Sequence, residues 1–160
     1  AHYGINIAKV REIIKADIEI VTVPDAHSSI DGAINLRGRI IPIINLARHL
    51  GQADSLDPKK NRIIISEFNK MVVGFFVTSV ANIHRLSWKQ VEQPSEMLQT
   101  NEGYAVGIVR INERVLFLLD FEKIAAHVNP RTNMANNAQI NLSPKDRSNK
   151  KILIAEDSEL

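Results

Sequence analysis

The sequence predicts a mainly-β fold of small barrels or a sandwich. Three observations support this prediction. Apolar residues fall in short runs that alternate with period two or are rich in Val and Ile, turn residues interrupt these runs at close intervals, and helical spacing is confined to short stretches. A doubly wound α/β sheet would need regularly alternating helices, so it is not expected. With 160 residues, the chain is long enough for one ordinary domain and not comfortably for two.

A short helix and a strand are predicted first. Asn6 can cap a helix over residues 7–14, in which the apolar residues share one helical face: Ile7, Val10, Ile13 and Ile14. Residues 18–23 alternate with period two and are β-branched, which predicts a strand that ends at Pro24 and Asp25.

A hairpin is predicted next. Residues 33–37 and 40–46 favour two strands, and Gly38 and Arg39 favour a tight turn between them. Pro42 cannot donate a ladder hydrogen bond, so the second strand is expected to lie at a sheet edge or to carry a bulge there.

The rest of the β-rich region is predicted to contain further strands and two short helices. In order, these are a helix over 45–50, strands over 62–67, 71–77, 82–86, 104–111 and 114–119, and a helix over 121–127. Two hairpin turns are expected, one at Asn69-Lys70 and one at Asn112-Glu113.

Charge and composition exclude several classes of protein. The chain has 20 Lys and Arg against 18 Asp and Glu, a net charge of +2, whereas nucleic-acid binders usually show a larger excess or a basic cluster. It contains no cysteine, which excludes disulfides and thiolate chemistry and fits a reducing cytoplasm. No apolar run approaches the roughly 20 residues that cross a bilayer. A cytoplasmic protein without membrane insertion is expected.

No catalytic motif is present. The five histidines do not show metal-ligand spacing, and we expect them to be ordinary surface or half-buried residues. The sequence has no Gly-rich phosphate loop and no nucleophile elbow, and no cluster of acids and bases suggests proton transfer. A non-enzymatic protein is therefore predicted, with no catalytic residues.

Two segments stand out as possible sites. In residues 32–46, Asn35 and Arg37 lie at the mouth of an apolar hairpin, where they either satisfy turn backbone groups or provide an arginine anchor for a protein interface. In residues 152–158, an apolar strand ends in Glu156 and Asp157. These carboxylates either bind Mg²⁺ at a sheet edge or are solvated. The residues alone do not decide between these alternatives.

Composition changes at residue 129. Residues 129–150 are rich in Asn, Ser, Pro and charge, which predicts a linker. Residues 151–160 begin with a strongly apolar strand, as if a further domain started there. We therefore interpret the sequence as a piece of a longer protein.

Four segments, in the same order along the chain, resemble CheW-like chemotaxis coupling domains. They are residues 3–13, residues 35–46 with Asn-Leu-Arg-Gly at their start, residues 72–77 with 83–86, and residues 107–124. The resemblance covers roughly residues 1–128. Residues 150–158 resemble the first strand and acidic pair of a response-regulator receiver domain. A CheW-like domain followed by a receiver is the layout of CheV-type coupling proteins.

The resemblance implies a fold, a function and a set of partners. The fold would be two small five-stranded SH3- or OB-like β-barrels packed on a shared core, with short helices and without the family's first strand. The function would be that of a scaffold in chemoreceptor arrays, which bridges chemoreceptor cytoplasmic tips and the regulatory domain of a chemotaxis histidine kinase and catalyses nothing. A small-barrel module that binds nucleic acid is the alternative function.

The resemblance also implies site residues. Those nearest the family's receptor-facing groove are Val10, Glu12, Asn35, Leu36, Arg37 and Gly38, with Arg37 as the polar anchor and Val10 and Leu36 as apolar contacts. Weaker candidates, expected to be core residues, are Val73, Phe75 and Val77.

Two further residues are assigned to a metal, and two features depart from the family. Glu156 and Asp157 would bind Mg²⁺ in an intact receiver domain, and no cofactor is expected for the present chain. Asn45 stands where the family more often has Asp. The missing first strand would leave an open β edge, on which residues 152–155 are a possible occupant.

Overall fold

The computed structural model describes residues 2–53, 57, 59–95 and 103–129. The mainly-β prediction is confirmed. The strands are β1 (Tyr3–Gly4), β2 (Val10–Lys15), β3 (Ile30–Leu36), β4 (Arg39–Asn45), β5 (Arg62–Phe68), β6 (Met71–Val77), β7 (Ala105–Ile111) and β8 (Arg114–Leu119). The α-helices are α1 (Leu46–His49) and α2 (Phe121–Val128), and 3₁₀ turns occupy Ile7–Lys9 and Trp88–Gln90.

Five strands form the larger sheet, in the order β2-β5-β6-β4-β3. All neighbours are antiparallel except β4 and β6, which run parallel. The smaller sheet has the order β1-β8-β7, with β1 parallel to β8. The three predicted hairpins are all present, and each pairs two largely apolar runs across a two-residue turn.

The turns explain where these hairpins reverse. Asn69 and Lys70 both have positive φ, as do Asn112 and Glu113. Two positive φ values in a two-residue loop match the right-handed twist of the paired strands. In the β3–β4 hairpin the turn residues are Arg37 and Gly38 rather than the predicted Gly38 and Arg39.

A shared core joins the two sheets. From the larger sheet, Ile44, Phe75 and other apolar side chains pack against Phe121 and Ile124 of α2. The rings of Phe75 and Phe121 lie 4.2 Å apart between centroids. This set, with Leu119 at the end of β8, is called the first core cluster below. It agrees with the shared core that the family resemblance implies.

The second core cluster lies on the other face of the larger sheet. Its buried members are Ile34, Ile41, Ile43, Ile63, Ile65 and Phe76. Alternation along the strands explains why there are two clusters, since Ile43 and Ile44 point to opposite faces. Gly74 permits close packing here, because a Cβ at this position would lie 2.5 Å from Cδ1 of Ile43.

The predicted helix over residues 7–14 is wrong. Asn6 caps a turn as expected, with its Oδ1 accepting from the Ala8 N–H at 3.0 Å, but only Ile7–Lys9 is helical and β2 follows. Apolar residues at positions 10 and 14 fit one face of either a helix or a strand. This segment forms a strand because it pairs with the Ile-rich strand β5. Tertiary contacts therefore override the local spacing of apolar residues.

Two predicted strands are also absent. Over residues 18–23, only Val21 pairs, through an isolated bridge to Ala33. Residues 82–86 form no strand, and Ile83 is 74% exposed. The smaller sheet therefore has three strands in the described part of the chain, not five, and neither sheet there closes into a barrel.

Pro42 is accommodated inside the larger sheet rather than at its edge. It pairs with Ala33 of β3, and the ladder between β4 and β6 begins one residue later, at Ile43. Pro42 therefore lies outside the ladder between β4 and β6, and its missing N–H removes no hydrogen bond from that ladder. The predicted linker over residues 129–150 lies outside the described residues except for Asn129. The receiver-like residues 151–160, and with them the suggested docking of residues 152–155, also lie outside the described residues.

Candidate protein-binding groove

The tip of the β3–β4 hairpin is fixed by its own side chains. Arg37 has φ 52° and Gly38 has φ 80°. The Asn35 Oδ1 accepts a hydrogen bond from the Gly38 N–H at 2.9 Å. Asn35 therefore stabilises the turn, which is the structural one of the two interpretations that the sequence left open. The Arg37 side chain does not serve the turn in this way.

Arg37 instead forms a bidentate ion pair with Glu12. Its two terminal nitrogens donate to the two carboxylate oxygens, each at 3.0 Å. Glu12 lies on β2, so the pair connects the hairpin to the opposite edge strand of the larger sheet. The Arg37 side chain is 76% exposed and that of Glu12 30%. Exposed pairs contribute about 0–1 kcal/mol to stability, so the main effect of this geometry is to orient the guanidinium.

A groove of about 180 Å³ opens beside this ion pair. Its apolar lining comes from Leu36, Ile41, Ile65 and Val72. Its polar lining comes from Arg11, Glu12, Arg37 and Arg39. Since Ile41 and Ile65 are buried members of the second core cluster, the base of the groove is part of the folded core and is rigidly held.

The charges around the groove are unequal. Arg11 is paired with Glu67 at 2.8 Å, and Arg37 is paired with Glu12. Arg39 is exposed and forms no ion pair with another residue in the described part of the chain. Three arginines and one glutamate line the groove, so its rim carries an excess of positive charge.

Five of the six predicted site residues lie in the groove or in the turn beside it. Glu12, Leu36 and Arg37 line the groove, while Asn35 and Gly38 build the turn beside it.

Val10 is not in the groove. It is half-buried and packs against the first core cluster. Among the weaker candidates, Val73 and Phe75 are buried in that cluster, 3% and 0% exposed, and Val77 packs against it. These three were expected to be core residues.

Several groove residues were missed. Arg39 lies opposite Leu36 in the hairpin register, so the hairpin alone could have indicated it. Arg11 is next to Glu12 in the sequence. Ile65 and Val72 enter the groove only because β5 and β6 lie between β2 and β4, and no local pattern reports that strand order.

Asn45 supports the hairpin from its other end. It is 2% exposed. Its Oδ1 accepts from the Arg48 N–H at 3.0 Å, which caps α1, and its Nδ2 donates to Asp31 at 3.1 Å. Asp31 also pairs with Arg48 at 2.8 Å. Both the carbonyl oxygen and the amino group of the Asn45 side chain form hydrogen bonds. The presence of Asn rather than the family's more frequent Asp at this position therefore has a structural reason.

Neither a metal-ligand cluster nor a membrane-spanning helix is found among the described residues. Within them, no three His, Asp or Glu side chains are arranged to hold a metal ion. Their helices are all too short or too polar to cross a bilayer. The predicted Mg²⁺ ligands Glu156 and Asp157 lie outside the described residues.

Comparisons with known proteins match the residues that form this fold. A family model described as a CheW-like domain matches residues 1–129. The structure is similar to the crystal structure of scaffolding protein TtCheW from Thermoanaerobacter tengcongensis, with a TM-score of 0.68, 30% sequence identity, and coverage of 74% of this chain and 80% of that one.

Two curated relatives are chemotaxis proteins of Helicobacter pylori. Chemotaxis protein CheV3 is 40% identical over 126 residues, which cover 76% of this chain and 40% of that protein. Chemotaxis protein CheV2 is 28% identical over a gapped alignment of 169 positions, which covers 98% of this chain and 54% of that protein. The chain thus spans about half the length of these relatives or less.

Proposed function

Because the chain belongs to the CheW-like domain family, we propose that it is a chemotaxis adaptor. It couples chemoreceptors to a chemotaxis histidine kinase by binding both proteins, and it catalyses no reaction. The partners are the cytoplasmic tips of the receptors and the regulatory domain of the kinase, which places the adaptor in the cytoplasm at receptor arrays. The structural similarity to the scaffolding protein TtCheW supports this proposal.

The observation that carries the proposal is the groove beside the Glu12–Arg37 ion pair. Its volume of about 180 Å³ is below the roughly 300–1,000 Å³ of typical small-molecule sites. It suits one or two side chains of a protein partner better than a cofactor. The apolar base would bury a partner's aliphatic or aromatic side chain, and the arginine rim would bind polar groups around it.

Arg37 is the proposed anchor of this interface. A guanidinium has five N–H donors in a fixed plane, and Arg37 uses two of them on Glu12. Since the side chain is 76% exposed, its remaining donors are open to a partner. Arginine is enriched among the interface residues whose truncation costs most affinity.

The CheV-type assignment is part of the same proposal. The similarity to CheV2 extends over 98% of the chain, beyond the CheW-like residues 1–129. We assign Glu156 and Asp157 to Mg²⁺ binding in a complete receiver domain. This role stays a prediction.

A matched pair of arginine variants tests the function. Arg37→Ala is expected to weaken binding to a receptor cytoplasmic fragment or a kinase regulatory domain by about 1–3 kcal/mol, as for an interface anchor, with a nearly unchanged thermal midpoint. Isothermal titration calorimetry measures the affinity. Arg114→Ala is the control, because Arg114 is also an exposed arginine at a two-residue hairpin turn but lies outside the groove. Equal affinities for wild type and Arg37→Ala, or loss of folding in that variant, would contradict the assignment.

A further inference from the structure

Three histidines from distant parts of the chain converge on one place. His27 precedes β3, His49 ends α1 and His127 lies in the last turn of α2. Their ring centroids are 5.7 Å apart for His49 and His127, 6.1 Å for His27 and His127, and 6.5 Å for His27 and His49. We call these three residues the histidine cluster. The groove does not include it.

Two buried residues, Ser29 and Tyr104, form hydrogen bonds with these rings. Ser29 donates its backbone N–H to the His27 Nδ1 at 3.1 Å, and its hydroxyl bonds to the His49 Nδ1 at 3.1 Å. The Tyr104 hydroxyl bonds to the His127 Nδ1 at 2.5 Å. Ser29 and Tyr104 are each 4% exposed, whereas His27 and His127 reach solvent. The imidazoles of His27 and His127 are therefore accessible to water, while the Ser29 and Tyr104 groups that bind them are buried.

The histidine cluster lies where two parts of the fold meet. His27 and His49 flank the ends of the β3–β4 hairpin in the larger sheet, whereas Tyr104 precedes β7 of the smaller sheet and His127 belongs to α2. Interactions among these rings therefore help to attach the last turn of α2 to the larger sheet. Asn129, the last described residue, follows that turn directly.

We propose that the histidine cluster is a proton-sensitive joint that holds the last turn of α2 against α1 and the loop before β3 near neutral pH and loosens it in mild acid. Histidine is the side chain whose charge ordinarily changes between about pH 5 and 8. Two consequences of protonation follow from the geometry, and both act in the same direction. This inference goes beyond the proposed adaptor function and does not depend on it.

The first consequence is the loss of a hydrogen bond. The His27 Nδ1 accepts from the Ser29 N–H, so it must carry a lone pair and no proton. A fully protonated imidazole has donors on both nitrogens. When this nitrogen is protonated, its N–H faces the N–H of Ser29, so both groups are donors and no hydrogen bond can form. The buried N–H of Ser29 then has no acceptor, which raises the free energy of this arrangement.

The second consequence is repulsion between like charges. All three centroid separations are below the screening length of about 8 Å at physiological ionic strength, so charged rings would repel one another. Arg48, next to His49, brings a further positive charge and is paired with Asp31. Lys123, one turn before His127 on α2, donates to the Gly103 carbonyl at 3.1 Å. Of these charged neighbours only Asp31 is acidic, and Arg48 already occupies it.

A double variant separates the effect of protonation from the effect of side-chain packing. In His27→Asn with His127→Asn, each Oδ1 takes the approximate place of the Nδ1, which preserves an acceptor for Ser29 and Tyr104 but removes two of the three imidazoles of the histidine cluster. His84→Asn is the matched control, because His84 is exposed and lies outside the histidine cluster. Backbone amide exchange of residues 124–128 is measured in the full chain at about pH 7.5 and about pH 5.5, the range in which histidine changes charge.

The expected result is a loss of protection that depends on the histidine cluster. After correction for intrinsic exchange rates, protection in α2 falls about tenfold at the lower pH in wild type and in His84→Asn, as for local opening, while β5 and β6 stay protected. In the double variant it changes less than about twofold. If that variant does not fold, His127→Asn alone is used, and its loss must be smaller than that of wild type. The proposal would be overturned if the exchange protection of α2 in wild type did not change with pH. It would also be overturned if the double variant, or strands β5 and β6 of wild type, lost as much protection as α2 of wild type.

Discussion

Glu12 and Arg37 are 25 residues apart in the sequence and form two parallel hydrogen bonds of 3.0 Å. Glu12 lies on β2, one edge strand of the larger sheet, and Arg37 follows β3, the other edge strand. No backbone ladder joins these two edges in the described residues. The ion pair is therefore the polar connection between the sheet's edges at the groove, and it fixes the direction of the arginine there.

Removing the charge of Glu12 should loosen Arg37 without unfolding the protein. Glu12→Gln keeps the length of the side chain but offers only one acceptor. We expect a stability change within about 1 kcal/mol, because the pair is exposed. We expect about 0.5–1.5 kcal/mol weaker partner binding, because the arginine must then be ordered on association.

Calorimetric titration of wild type, Glu12→Gln, Arg37→Ala and the double variant measures both the loss and the coupling between the residues. Tighter binding by Glu12→Gln would mean that Glu12 competes with the partner for Arg37 rather than positioning it.

The hairpin turn should depend on the Asn35 side chain. Asn35→Ala removes the acceptor for the Gly38 N–H, and a typical intramolecular hydrogen bond contributes about 0.5–1.5 kcal/mol. Urea denaturation is expected to show a loss of that size. Asn35→Asp is the control, since a carboxylate keeps the acceptor and should stay close to wild type. An Asn35→Ala variant as stable as wild type would show that the turn does not need this bond.

An aspartate at position 45 should be unfavourable in this chain. Asn45→Asp keeps the cap on α1 but replaces the donor to Asp31 with a second carboxylate, at a site where the present distance is 3.1 Å. The expected cost is about 1–3 kcal/mol, as for a buried polar group that loses its partner. Thermal unfolding measures it as a lower midpoint.

The rescue variant for this prediction is Asp31→Asn in the Asn45→Asp background. It removes the like charge and should recover part of the loss, although it also removes the partner of Arg48. If Asn45→Asp alone is as stable as wild type, the amide donor has no structural role.

The parts of the fold that local sequence determines were predicted well. The β3–β4, β5–β6 and β7–β8 hairpins follow from β-branched runs and two-residue turns. The strand β2 was mistaken for a helix because its apolar positions fit either periodicity over so short a stretch. Its pairing with β5 is a long-range contact that spacing does not encode.

The candidate site also contains some residues that local sequence could indicate and others that it could not. Leu36 and Arg37 could be placed in it because they belong to one hairpin with a recognisable motif. Ile65 and Val72 could not, because they reach the groove through the order of strands in the sheet. The histidine cluster was missed for the same reason, because only the tertiary fold brings positions 27, 49 and 127 together.

Mapping the bound surface by NMR tests the central claim most directly. A ¹⁵N-labelled chain is titrated with an unlabelled receptor cytoplasmic fragment, and separately with a kinase regulatory domain. For at least one of them, we expect the largest amide shifts at Glu12, Leu36, Arg37, Arg39 and Val72, and their loss in Arg37→Ala. Saturable binding of both partners that leaves these amides unchanged and shifts residues elsewhere would contradict the account of the groove as the docking surface.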